Sequence, residues 1–184
     1  MQGSRERRQL LFLIVASLFL VFDGPLTGST VEAATASPGT DSVFDAAAVA
    51  VVVGRINSTL PDRDIERIAA AVERYSFKYG LDAELVTAIL VVESSARPWA
   101  RSPKGAVGLM QVMPHMILPL GLAGNASTIE SNVEAGCWIL HNNIRRLGED
   151  RGISAYFWGS DIRGLSYLEK VREARAELRR QRTS

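Results

Sequence analysis

From Pro61 onward the apolar positions fall into helical stripes. Ile65, Ile68, Ala69, Val72, Tyr75 and Tyr79 recur at helical spacing, which predicts a helix over 62–79 with one buried face. Gly80 stands where a helix C-terminus favours a residue free to take positive φ. Asp82 is then a good N-cap, and Leu85, Ile89 and Val92 carry a second helix up to Glu93 and Ser94. Ser131 followed by Glu134 has the form of a capping box, and Val133, Cys137, Leu140, Ile144 and Leu147 extend that helix to Gly148. "ISAYFWG" predicts a short helix and Ser160–Gly164 a turn. Leu165, Leu168, Val171, Ala174 and Leu178 form the stripe of a last amphipathic helix. Between these segments, Pro98, Pro103 and Gly105 mark 96–105 as loop, and "GLMQVM" reads as a short helix stopping before Pro114. Residues 115–130 are poorly periodic. No run alternates at two-residue steps, so the expected fold class is all-α.

The flanks follow other patterns. Arg5, Arg7 and Arg8 precede an apolar run from Leu10 to Phe22. That run is shorter than the ~20 apolar residues of a spanning helix, and it predicts a signal peptide over 1–36, with Ala34-Thr35-Ala36 as a cleavage site. An uncleaved N-terminal anchor is the alternative, and membrane contact would then come through this segment alone. Residues 37–60 mix turn formers with a short apolar run and read as a linker able to carry a docking turn of helix. The central domain spans 61–171, and 172–184 form a basic helical tail. From Lys170 onward six Lys and Arg residues face only Glu173 and Glu177. This tail reads as a solvated helix face or as an attachment to anionic polymer or headgroups.

Composition narrows the chemistry. The 184 residues are 47% hydrophobic, which supports a real core. The formal net charge of +1 gives no reason to invoke nucleic acid. Cys137 is the only cysteine, so an exported product would have no internal disulfide. With His115 and His141 as the only histidines, a zinc site of the usual ligand types is not expected, and no cofactor is called for.

One carboxylate stands out. Glu93 falls at a helix end beside Val91 and Val92, where partial desolvation would raise its pKa and suit it to act as a general acid. It heads a block in which "ES", Pro98, Ala100 and Ser102 lead into "GAVGLMQVMP". "NVEAGCWIL" at 132–140, "AYFWG" at 155–159 and "YLEKV" at 167–171 follow in order. This series resembles the catalytic signature of soluble lytic transglycosylases, glycoside hydrolase family 23.

The resemblance implies a lysozyme-like helical domain with a substrate groove. It also implies cleavage of the β-1,4 bond between N-acetylmuramic acid and N-acetylglucosamine in peptidoglycan, leaving a 1,6-anhydro end. Glu93 would be the single general acid and base, because the substrate's own C6 hydroxyl replaces water as nucleophile. Ser94 would hydrogen-bond near the reacting sugar, with a helix-end cap as its other reading. Gly108, Leu109, Met110 and Gln111 would form one wall of the groove. Tyr156 would lie beside Glu93 and offer it a hydrogen bond. The asparagine that the family carries after this tyrosine is Phe157 here, and Trp158 could stack on a sugar in its place. Two other readings follow: a hydrolase resembling goose-type lysozyme, or a non-catalytic peptidoglycan-binding protein whose groove Phe157 has altered. The implied partner is the glycan strand, with an envelope or secretion-machine partner also possible for an exported enzyme of the periplasm or cell envelope.

Overall fold

The computed structural model describes residues 44–117 and 126–183, and among these there are six α-helices and no strand. The signal-peptide or anchor reading of 1–36 lies outside the described residues. The order is α1 (Ala46–Ile56), α2 (Asp62–Tyr79), α3 (Ala83–Ser94), a 3-10 turn (Pro114–Met116), α4 (Ile129–Leu147), α5 (Glu149–Trp158) and α6 (Ser166–Thr183).

The centre of the domain is α3, where every residue from Glu84 to Leu90 is buried. Asp82 caps its start by accepting from Glu84 N–H at 2.9 Å. Ile68 and Val72 of α2, Val133 and Leu140 of α4, and Leu168 and Val171 of α6 join its apolar residues in one core. Fully burying a side chain of this size is worth roughly 1.5–3 kcal/mol, and Ile68, Ile89, Leu90 and Leu140 are each wholly enclosed. Gly80 ends α2 at φ 61°, so the chain can reverse directly into α3.

Three elements differ from the sequence pattern. The stretch expected as a linker contains α1, capped by Asp45 and burying Val49, Val52 and Val53 against the core. Its valines are too densely apolar to remain solvated, so they fold onto α2 instead. Helix α4 begins two residues before the expected Ser131. Thr128 is its N-cap, accepting from Ser131 N–H at 3.3 Å, and the hydroxyls of Thr128 and Ser131 also bond each other. "GLMQVM" is not helical. Val107 and Val112 exchange backbone hydrogen bonds at 3.0 Å around a tight turn, with Gly108 at φ 78° and Gln111 at φ 48°. Two left-handed residues within four positions exclude a helix there.

Helix α6 runs unbroken past residue 172, and its cations are largely committed within the domain. Arg175 meets Asp82 at 2.5 Å, Glu84 at 3.1 Å and Glu149 at 3.0 Å. Arg179 reaches Glu84 at 2.8 Å, and Arg172 reaches Asp150 at 2.7 Å. Burial opposes ionisation of Glu84, but the hydrogen bonds from Arg179 and Arg175 outweigh it and hold its carboxyl below the usual range. The basic tail therefore fastens α6 to α3 and α5 rather than forming a free cationic patch.

Candidate active site

Glu93 is the penultimate residue of α3 and is only partly exposed. Beyond it Ser95 and Ala96 both take left-handed backbone angles, at φ 52° and 57°, so the chain leaves the helix sharply and keeps the end of α3 open. Tyr167, on the first turn of α6 and 4% exposed, donates its hydroxyl to Glu93 Oε1 at 2.6 Å. Burial raises the pKa of Glu93, and the Tyr167 hydrogen bond only partly offsets it. No other carboxylate among the described residues acts on its titration. Tyr167 is itself held far above its usual pKa by burial and by the charge of Glu93, so it stays a donor.

The tight turn 107–112 is held by one buried residue. Asn132 Oδ1 accepts from Met110 N–H, and its Nδ2 donates to the carbonyls of Val107 and Ala126, each at 2.8 Å. A Cβ on Gly108 would come within 2.3 Å of the Asn132 amide, which explains the glycine at that place. Met110 is wholly buried and lies against Gly136, where a Cβ would meet Met110 Sδ at 2.4 Å. From α5, the Tyr156 hydroxyl donates to the Met110 carbonyl at 2.8 Å. The segments 107–112, 126–136 and 155–156 are thus tied into a single unit around Met110.

The sequence matches the family described as Transglycosylase SLT domain over residues 70–164, just over half of the chain. The chain belongs to that family. A protein named Transglycosylase from Enterobacteria phage PRD1 is 37% identical over 97 residues, covering 52% of this chain and 35% of that protein. Membrane-bound lytic murein transglycosylase C of Haemophilus influenzae (strain PittEE) is 36% identical over 84 residues, covering 39% of this chain and 24% of its own length. The namesake from Edwardsiella ictaluri (strain 93-146) is 44% identical over 54 residues, or 29% and 15%. The chain spans about a third or less of the length of these curated relatives.

Within this SLT-type domain the expected residues are distributed unevenly. Glu93 stands partly buried at the end of α3, with its pKa raised by burial. The hydrogen bond expected from Tyr156 comes from Tyr167 instead, because the Tyr156 hydroxyl is taken by the Met110 carbonyl. Ser94 is buried and serves the helix end, its hydroxyl donating to Leu90 O at 3.1 Å and accepting from Arg97 N–H at 3.3 Å. Leu109 and Met110 are fully enclosed, so they support the turn from beneath and do not offer their side chains to a groove. Gln111 is half-buried, and its Nε2 donates to Gly108 O at 2.9 Å and to Ala100 O at 3.3 Å.

Phe157 is 56% exposed, with its ring stacked on Tyr167 at 5.0 Å and 16° and meeting Trp158 edge-on at 4.9 Å. The Trp158 indole N–H is buried without an acceptor among the described residues. Two residues that open motif blocks of the sequence, but were given no role of their own there, join this constellation. Tyr167 lies just beyond the family match, and its signal was the tyrosine opening "YLEKV". Asn132 opens "NVEAGCWIL", and a lone amide at the start of an apolar helical stripe was its signal.

Proposed function

We propose that this protein is a peptidoglycan lytic transglycosylase that cleaves the β-1,4 bond between N-acetylmuramic acid and N-acetylglucosamine, with Glu93 as sole acid and base. The observation that carries this is the partly buried carboxyl of Glu93, raised in pKa and bonded by Tyr167 at 2.6 Å. The protonated Glu93 gives its proton to the glycosidic oxygen as the C1–O bond breaks. Its carboxylate then takes the proton of the C6 hydroxyl while O6 bonds to C1. The ring closes as 1,6-anhydromuramic acid, Glu93 is protonated again, and no water is consumed.

The names of the relatives, which include lytic murein transglycosylases, support peptidoglycan as substrate and the envelope as the place of action. Retaining and inverting glycosidases place a second carboxylate at a set distance from the acid, a role that the substrate's own C6 hydroxyl takes over in this reading. Tyr167, Gln111 and the aromatic pair Phe157 and Trp158 are the polar and stacking groups closest in role to a sugar site. The test is digestion of purified sacculi followed by mass spectrometry of the fragments. Anhydro-muropeptides are expected. Products with reducing ends alone would make the protein a hydrolase, and binding without release would make it a glycan-binding protein.

A further inference from the structure

We propose that the cavity beside residues 97–101 binds a carboxylate carried on the stem peptide of the glycan strand, with Arg97 and Arg101 as cationic contacts and Trp99 as apolar platform. The proposal rests on the reading of the protein as a peptidoglycan-cleaving enzyme and names a part of the substrate that this reading leaves open.

The cavity encloses about 420 Å³, between the end of α1 at Asn57 and Thr59 and the loop that leaves α3. This is the size of a site for a small ligand. The loop is fixed on both sides. Asn57 Nδ2 donates to Ala96 O at 3.0 Å, and Thr59 donates to Asn57 Oδ1 at 2.7 Å. Ala100 O accepts from Gly108 N–H at 2.8 Å and from Gln111 Nε2 at 3.3 Å, so the loop shares its backbone with the turn of the active site.

The lining contains two arginines and no carboxylate. Arg97 uses Nε to hold Ser94 O at 2.8 Å, which orients its guanidinium, and neither arginine makes an ion pair among the described residues. Two unneutralised guanidinium groups at one cavity favour an anion, and their planar fork suits a carboxylate. Between them Trp99 is 67% exposed, a large apolar face standing outside the core. The sugars of peptidoglycan are neutral once the lactyl group is amide-linked, so free carboxylates belong to the stem peptides. Reach is not an obstacle. Arg97 lies four positions after Glu93, at most about 14 Å along an extended chain, and a stem peptide of five residues spans a similar length.

The test titrates the full chain, by calorimetry, with a synthetic stem tripeptide as the free acid and with its carboxyls amidated. The acid is expected to bind at least about tenfold tighter than the amide, the scale of one charge-assisted hydrogen bond. Arg101→Ala and Trp99→Ala should each weaken the acid by a similar factor, while Arg101→Lys keeps part of the affinity. Equal binding of acid and amide, or variants that bind as the wild type does, would overturn the proposal. So would displacement of the peptide by an equal concentration of inorganic phosphate, which marks a general anion site.

The second arm compares kcat/KM on sacculi carrying stem peptides with kcat/KM on the same glycan stripped of them by an amidase, its freed lactyl carboxyls capped as amides. The wild type should prefer the peptide-bearing strand by about tenfold, and Arg101→Ala should bring that ratio towards one. An unchanged ratio in the variant counts against the site. Peptide binding without cleavage of either glycan would uphold the cavity and sink the catalytic reading. Cleavage without selective peptide binding would do the reverse.

Discussion

The hydroxyl of Tyr167, from α6, donates to Oε1 of Glu93 at the end of α3 across 2.6 Å, joining two residues 74 positions apart in sequence. This bond stabilises the carboxylate form and is the one influence that lowers the pKa of Glu93 against the burial that raises it. Tyr167→Phe keeps the ring and its packing but removes the donor. The pKa of Glu93 should then rise further, so the acid form persists to higher pH and the alkaline limb of the pH–rate profile moves upward. Turnover at the optimum should fall about tenfold or more, because the carboxylate formed after the first proton transfer loses a charged hydrogen bond. A limb that moves downward would contradict this account.

Glu93→Gln should lower the release of fragments by at least about a hundredfold, the lower end of what a positioned general acid contributes. The same variant has a signature in stability. A carboxyl whose folded pKa is raised binds its proton more tightly in the native state, so the wild type loses stability as pH rises from its unfolded pKa through the folded one. Glutamine carries no charge and escapes that loss. The variant should therefore melt higher than the wild type near neutral pH, with the gain shrinking in acid, as thermal unfolding at several pH values would show.

How much of this was legible depends on whether the deciding interaction was local. Helix α2 came out at 62–79 and α3 ended at Ser94 as predicted, because Gly80 and Asp82 act on their own neighbours. The turn at 107–112 misled, since "GLMQVM" has good helix formers and only a pairing of Val107 with Val112 and a clamp from Asn132 reveal its shape. The helix hidden in 37–60 was obscured for a similar reason. Its valines fit several structures, and α2 decides among them. Glu93 could be picked out from its motif, whereas its hydrogen-bond donor could not. Tyr156 and Tyr167 are both tyrosines in apolar helices, and which one reaches Glu93 depends on how α5 and α6 pack.

Asn132 saturates three backbone groups, two in the turn 107–112 and one at Ala126, from inside the core. Asn132→Ala leaves Met110 N–H and the carbonyls of Val107 and Ala126 buried without that partner. At about 1–3 kcal/mol for a buried group stripped of its bond, the loss should approach 3–5 kcal/mol and be visible in denaturant unfolding. Gly136→Ala tests the same unit by crowding, since its Cβ would sit 2.4 Å from Met110 Sδ and 2.7 Å from Met110 Cβ. It should cost about 1–3 kcal/mol.

Arg175 is the hub between α6, the start of α3 and α5. Arg175→Ala leaves Glu84, whose side chain is only 7% exposed, with Arg179 alone. Losing one partner of a buried carboxylate should cost about 2–3 kcal/mol, below the 3–5 kcal/mol of full unpairing because Arg179 remains. The pH dependence has a definite sign. Glu84 has a lowered folded pKa, so its contribution is present above the usual carboxylate pKa of about 4.3 and disappears as pH falls through the folded value. The gap between wild type and variant should accordingly narrow only in acid.

Phe157 covers the tyrosine that holds the acid. Its ring lies on Tyr167 at 5.0 Å, nearly parallel, while more than half of Phe157 itself faces solvent. Tyr167 stays 4% exposed beneath it. Phe157→Asn removes this cover and admits water beside Tyr167 and Glu93, so less desolvation acts on the carboxyl and its pKa should fall towards the ordinary range. The alkaline limb of the pH–rate profile should then move downward, opposite to the shift expected for Tyr167→Phe. The asparagine also supplies the side-chain amide that the resemblance to lytic transglycosylases implies at this position, so KM for sacculi should fall. Loss of the stacked pair should cost about 0.5–1.5 kcal/mol of stability. If KM falls and the limb stays in place, Phe157 matters only for substrate contact. If the limb moves without a change in KM, its role is to keep Glu93 dry.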